Sequence, residues 1–230
     1  MKIGGFQRTT LIDFPGKIAS IVFTNGCNFR CPYCHNPELS VRPEEVENIS
    51  ESAIFEYLIT RKGKIDGVVI TGGEPTLQPG LLAFMRRIKA MGFLVKLDSN
   101  GTNPEILEKA VEEKLVDYIA MDIKAPLDKY EKIAKSKVNL DKIQKSIDFI
   151  MNSGIDYEFR TTIVENLLSK EDICEIGEKT IKGAKKYYLQ NFIPTKAADP
   201  ECLKDKSYTQ PEMIAMSQDL KQFVGECDVR

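Results

Sequence analysis

Apolar residues along this chain follow two alternating rhythms. Short runs rich in β-branched residues predict six strands, at Ile18–Thr24, Gly67–Thr71, Leu94–Asp98, Tyr118–Asp122, Tyr157–Ile163 and Lys186–Phe192. Near-continuous stretches such as Gly67-Val68-Val69-Ile70 suit strands buried on both faces, as in a parallel sheet. Between the strands the period lengthens to that of a helix. Leu81, Met85 and Ile88 share one face, as do Ile106, Leu107, Ala110 and Val111, and again Ile143, Ile147 and Ile150 within Leu140–Met151. Helix starts are marked by Ser50, with Ile49 before it able to staple onto Ile54, and by Pro79, whose helix Gly92 ends. Further starts are the cap-and-proline pair Asn103-Pro104 and the capping pairs Ser169 with Asp172 and Thr209 with Glu212.

This alternation predicts an α/β fold of parallel strands with helices outside. Six units are too few to close an eight-stranded barrel, so the expectation is a partial (β/α)6 barrel whose functional rim lies at the C-terminal strand ends. No repeat or long linker divides the chain. It is expected to be one domain over 1–230, with an N-terminal extension at 1–17, the barrel at 18–193 and a helix-bearing C-terminal segment at 194–230. Four polar motifs follow the first four strands and so land on one rim. They are the loop Cys27 to Cys34, Thr71-Gly72-Gly73-Glu74-Pro75, Asp98-Ser99-Asn100-Gly101 and Asp122-Ile123-Lys124.

At 230 residues, 42% hydrophobic and 29% charged, the chain has the composition of an ordinary soluble domain. A net charge of −2 gives no general attraction to nucleic acid or anionic membrane. No apolar run approaches the ~20 residues that span a bilayer, and the first residues lack a secretory apolar core. Six cysteines, with Cys174, Cys202 and Cys227 scattered, do not form a disulfide framework, so a reducing cytoplasm is expected.

The chemistry concentrates in Cys27-Asn28-Phe29-Arg30-Cys31-Pro32-Tyr33-Cys34. Three thiolates on one loop can hold three irons of a [4Fe-4S] cluster and leave the fourth open, whereas ordinary electron carriers close every iron with cysteine. The competing reading is a closed zinc site completed by His35, the chain's one histidine, although residues adjacent in sequence rarely converge on one metal. Gly72-Gly73-Glu74-Pro75 lets the backbone turn sharply and leaves carbonyls open to a ligand ammonium, or else is a plain strand-to-helix turn. Asp98 and Asp122 end adjacent strands, and two such carboxylates repel unless a cation or a ligand hydroxyl lies between them. Turn formation or helix capping is the alternative for each. Lys124 faces the same side as Asp122.

The cysteine spacing, with an aromatic residue before the last cysteine, resembles the signature of the radical S-adenosylmethionine (radical SAM) enzymes. The run Phe6 to Gly16, the sequences Thr24-Asn25-Gly26-Cys27 and Cys34-His35-Asn36-Pro37, and Met121-Asp122-Ile123-Lys124 narrow the resemblance. They are similar to the glycyl-radical-enzyme activases, the group that serves pyruvate formate-lyase and anaerobic ribonucleoside-triphosphate reductase. The resemblance implies a radical SAM barrel holding a [4Fe-4S] cluster on Cys27, Cys31 and Cys34, the catalytic centre. It further implies S-adenosylmethionine bound by Tyr33 at the adenine, by Gly72, Gly73 and Glu74 at the amino end, and by Lys124 at the carboxylate. Asp98, Ser99 and Asp122 would line the cofactor or cation pocket. Arg160 and Gln190 are candidates by inward position, and His35 serves loop packing. The implied partner is a glycyl radical enzyme, foremost an anaerobic ribonucleotide reductase. Asn36 to Gly72 lacks the cysteines of a second cluster, so electrons would come from a separate flavodoxin or ferredoxin. A small-molecule radical SAM enzyme, like the 7-carboxy-7-deazaguanine synthases, and a non-catalytic metal-binding module remain the alternatives.

Overall fold

A computed structural model describes residues 1–230, in which eight strands form one sheet in the order of the chain. They are β1 (Ile3–Thr10), β2 (Ala19–Thr24), β3 (Gly67–Gly72), β4 (Leu94–Ser99), β5 (Tyr118–Asp122), β6 (Asp156–Ile163), β7 (Lys186–Asn191) and β8 (Glu226–Val229). From β2 to β8 every neighbouring pair is parallel, while β1 runs antiparallel to β2. β1 and β8 are the two edges, so the barrel is open. The six expected strands form the middle of this sheet, and the two edge strands are additions to the expectation. Gly4 and Gly5 dilute the strand signal of β1, and β8 has only four residues, too few for a period to register.

Strand alternation divides the side chains into two layers. Val22, Val68, Ile70, Leu97, Ile119 and Met121 point outward into the main core against the helices. The opposite face carries a smaller apolar cluster of Phe14, Ala19, Ile21, Val69, Tyr118 and Ala120. Phe14, 4% exposed, comes from the loop after β1 and packs against Tyr118 and beside Gly67. Beyond this plug the inner face turns charged, with Lys96, Asp98, Asp122, Glu158 and Arg160 on neighbouring strands in matching register.

Most helix signals resolve as expected. Helix α1 (Pro37–Ser40) directly follows the cysteine loop, and α2 (Glu51–Ile59) is capped by the Ser50 side chain. Helix α3 spans Leu81–Ala90, beginning after Pro79 because Gly80 takes a left-handed φ of 86° as its cap. Helix α4 (Pro104–Glu112) begins at the proline, but Asn103 caps nothing with its side chain and donates instead to Thr76. Helices α5 (Tyr130–Ala134) and α6 (Leu140–Asn152) follow β5. Full capping boxes start α7 (Lys170–Glu175) and α8 (Gln210–Leu220).

Candidate active site

Cys27, Cys31 and Cys34 lie on the loop from β2 to α1 and open into one cavity at the C-terminal strand ends. The same cavity is lined by Tyr33, Gly72, Gly73, Glu74, Asp98, Ser99, Asp122 and Lys124, which gathers four rim motifs into one site. The loop is held from three sides. The Arg30 amide donates to the Ala134 carbonyl, Asn28 exchanges side-chain hydrogen bonds with Asn100 and Thr102, and the Asp199 amide donates to the Pro32 carbonyl.

The fourth hold explains the glycines. The Gly73 amide donates to the Thr24 carbonyl and the Glu74 amide to the Gly26 carbonyl, 2.8 Å away. A Cβ on Gly73 would collide with the Gly26 carbonyl oxygen, and one on Gly72 with the Thr24 backbone. Gly72 also takes a φ of 112°, open to glycine alone at no steric cost. The β3 turn is therefore clamped, backbone on backbone, to the residues just before Cys27.

Glu74 is 1% exposed, and its carboxylate is fully engaged. Oε1 accepts from the Thr76 amide, the Thr76 hydroxyl and the Ser99 hydroxyl, while Oε2 accepts from the Asn100 amide at 2.7 Å. Burial raises its pKa, against the pull of those hydrogen bonds. The side chain thus ties the turns after β3 and β4 together, and only backbone atoms of Gly72-Gly73-Glu74 are free to face a ligand.

Asp98 and Asp122 do converge, and the cation between them is Arg160. Its Nη1 lies 3.3 Å from Asp98 and its Nε 3.0 Å from Asp122. Lys96, almost wholly buried, donates to Asp98 at 2.5 Å, and Lys124 meets Asp122 at 3.0 Å. Burial opposes both carboxylate charges, but Lys124 and Arg160 outweigh it and hold Asp122 down at about 2, while Arg160 and Lys96 lower Asp98. Burial likewise opposes the charge on Lys124, but the Asp122 carboxylate 3.0 Å away outweighs it and keeps the ammonium protonated. Arg160 lies behind the two carboxylates and does not line the cavity, nor does Gln190, which pairs in register with the cavity residue Thr162. Lys96 and Thr162 were not anticipated from the sequence, and Asn100 only as a member of its rim motif. The first was within reach, since it shares the inner face with Asp98 by strand alternation.

The donor set suits a cluster better than a single ion. His35 lines the same cavity, but its ring is engaged elsewhere: it stacks on Phe192 at 5.4 Å, and Nε2 sits 3.1 Å from the Ile193 carbonyl. No three cysteine, histidine or carboxylate groups converge on one point. Thiols that each meet a different iron of a cubane need not converge, whereas a tetrahedral zinc site requires it. Burial pushes the Cys27 thiol up to about 12 and also raises Cys31, so both enter the free cavity protonated and lose a proton on binding metal. Tyr33 is buried in the same loop, and its hydroxyl finds no hydrogen-bond partner.

Comparison with known proteins agrees with this geometry. Residues 21–178 match the radical SAM superfamily. A protein of Methanocaldococcus jannaschii described as a glycyl-radical enzyme activating enzyme is 35% identical over 236 residues, which cover 99% of this chain and 95% of the relative. The pyruvate formate-lyase-activating enzyme of Clostridium pasteurianum is 31% identical, covering 82% of this chain and 80% of that one. Among solved structures, TYW1 with a lysine-pyruvate adduct superposes with a TM-score of 0.63 at 17% identity, over 89% of this chain and 73% of that one. Streptococcus suis SuiB bound to S-adenosylmethionine gives 0.64 at 14% identity over 91% of this chain, which spans about half (51%) of SuiB. These two share the fold.

Proposed function

This chain belongs to the radical SAM superfamily and, within it, to the glycyl-radical-enzyme activases, and on that premise we propose that it installs a glycyl radical on an anaerobic ribonucleoside-triphosphate reductase. Its cofactors are a [4Fe-4S] cluster and S-adenosylmethionine. The observation that carries the reading is the single cavity shared by three unpaired thiols, the Gly72-Gly73 turn and the Asp122–Lys124 pair. Cys27, Cys31 and Cys34 would hold the cluster, which would supply the one-electron reduction of S-adenosylmethionine that drives hydrogen abstraction from a substrate glycine.

The chain's own residues bind and orient. Cys27, Cys31 and Cys34 hold the metal centre. Carbonyls of the Gly72-Gly73-Glu74 backbone accept from the methionine ammonium, and Lys124 meets the methionine carboxylate, kept charged by Asp122. Tyr33 packs near the adenine. Ser99 and Asp98 complete the wall, and Arg160 acts through them, since it fixes the Asp98 and Asp122 carboxylates without lining the cavity. The plug around Phe14 keeps water from the barrel floor, which protects a reactive intermediate.

Anaerobic reconstitution tests the reading. About four irons and four sulfides should bind per chain, the number one cubane holds. Cys27→Ala, Cys31→Ala or Cys34→Ala should each abolish that binding, and Cys174→Ala should not. Reduced protein should release 5′-deoxyadenosine, and the reductase should develop a paramagnetic doublet that collapses when its glycine carries deuterium at Cα. Stoichiometric zinc without sulfide would overturn the cofactor assignment. Cofactor cleavage with no radical on any glycyl radical enzyme of the organism would overturn the substrate.

A further inference from the structure

The cysteine loop has two faces. Its thiols line the cavity, whereas Arg30, between Cys27 and Cys31, is exposed and does not line it. The Arg30 guanidinium donates to the carbonyls of Cys27 (2.7 Å) and Phe29 (2.8 Å) and has no carboxylate within salt-bridge reach. The hydrogen bond from its backbone amide to the Ala134 carbonyl brings the end of α5 against the loop, and there Lys132, Lys135 and Lys137 are all exposed. Lys132 and Lys137 also lack an acidic partner. Within this patch, Asp199 pairs with Lys135 at 3.3 Å, and Glu131 accepts from the Val138 amide. Four exposed cations therefore lie on the outer face of the cysteine loop and on the segment that abuts it, against the two anions Glu131 and Asp199, which leaves the patch net positive.

A second observation says what such a face is for. The proposed reaction consumes an electron, and the chain has no other metal site to deliver it. Cys202 and Cys227 are buried in the apolar core and Cys174 lies on α7, so the remaining cysteines form no second cluster loop. The electron must come from a separate protein that approaches the cluster from outside while the cavity holds the cofactor. We propose that the Arg30, Lys132, Lys135 and Lys137 face is the docking site of an acidic one-electron carrier of the flavodoxin or ferredoxin type. The inference rests on the radical SAM reading above. The carrier gives up one electron and is oxidised by one unit, and the cluster is reduced by one. Opposite charge steers the encounter and orients the carrier's redox centre toward the loop, and such steering fades as salt screens it.

The double variant Lys132→Glu with Lys137→Glu tests this, because neither side chain touches the cavity. Cluster-loaded parent and variant are compared for 5′-deoxyadenosine release, driven either by dithionite or by limiting flavodoxin hydroquinone. Dithionite needs no docking, so its rates should agree within about twofold, while the flavodoxin-driven rate of the variant should fall roughly tenfold at low salt. Added salt should slow the flavodoxin-driven parent and not the variant. Equal flavodoxin-driven rates would overturn the docking site. So would a variant that, with dithionite, cleaves the cofactor normally but fails to make a glycyl radical, since the face would then belong to the protein substrate. No release from the dithionite-driven parent would instead fell the radical SAM reading itself.

Discussion

At Glu74 one carboxylate accepts four hydrogen bonds, two from Thr76 after β3 and two from Ser99 and Asn100 at the end of β4. Its neighbourhood consists entirely of donors, so an amide of the same shape is a poor substitute. Glu74→Gln would set an NH2 group against the Asn100 amide or the Thr76 and Ser99 donors, costing about 1–3 kcal/mol for the buried group left unmatched. Thermal unfolding should register that loss, and iron content after reconstitution should fall with it, since the Glu74 amide also holds Gly26 next to Cys27. A variant with unchanged midpoint and full iron would remove Glu74 from its place as the tie between turns. The identity of Glu74 was evident from its motif, but its partners were not. Nothing in a linear string says that Asn100 and Ser99 will aim at it.

Among the elements, the segment 193–207 after β7 crosses the cysteine loop. His35 stacks on Phe192 beside it, Lys196 pairs with Glu38, and Ser207 bonds both the Phe192 amide and the Ile163 carbonyl. His35 is thus a packing residue for this crossing. Stacking and one hydrogen bond together are worth about 1–2 kcal/mol. His35→Ala should therefore speed amide exchange across 192–207 by roughly tenfold, because local opening follows the local free energy. Iron binding by the three cysteines should persist. Unchanged exchange would mean that the crossing is held by the other bonds alone. Capping signals at Ser50, Ser169 and Thr209 were legible because each acts within four residues of itself. The crossing was not, because it joins residues 158 positions apart.

For the whole molecule, the inner face of the barrel makes acid stability a property of the site. Asp122 titrates at about 2 and Asp98 is also lowered, so both favour the folded state above the ordinary carboxyl value. That contribution is complete above about pH 5 and is lost progressively as pH falls through the unfolded and then the folded value. Glu74, raised by burial, has the opposite sign and cannot cause the loss. The unfolding midpoint should fall below about pH 5, and Asp122→Asn should have a shallower slope there. Equal slopes for parent and variant would mean that the Asp122 pairing contributes nothing to folding.

The sequence by itself determined the strand–helix alternation, the rim on which four motifs meet and the three-thiol loop. Each of these follows from local periodicity, from turn chemistry, or from ligands only a few residues apart. Only the tertiary structure decided that the antiparallel β1 and the short β8 would extend the sheet at its edges. It alone set Arg160 between two aspartates from different strands, and turned Arg30 outward while its neighbouring cysteines turn in. The physical reason is the same each time. Strand edges, buried ion pairs and loop faces are settled by partners distant in the chain, and an amino-acid pattern records the residue but not the neighbour that completes it.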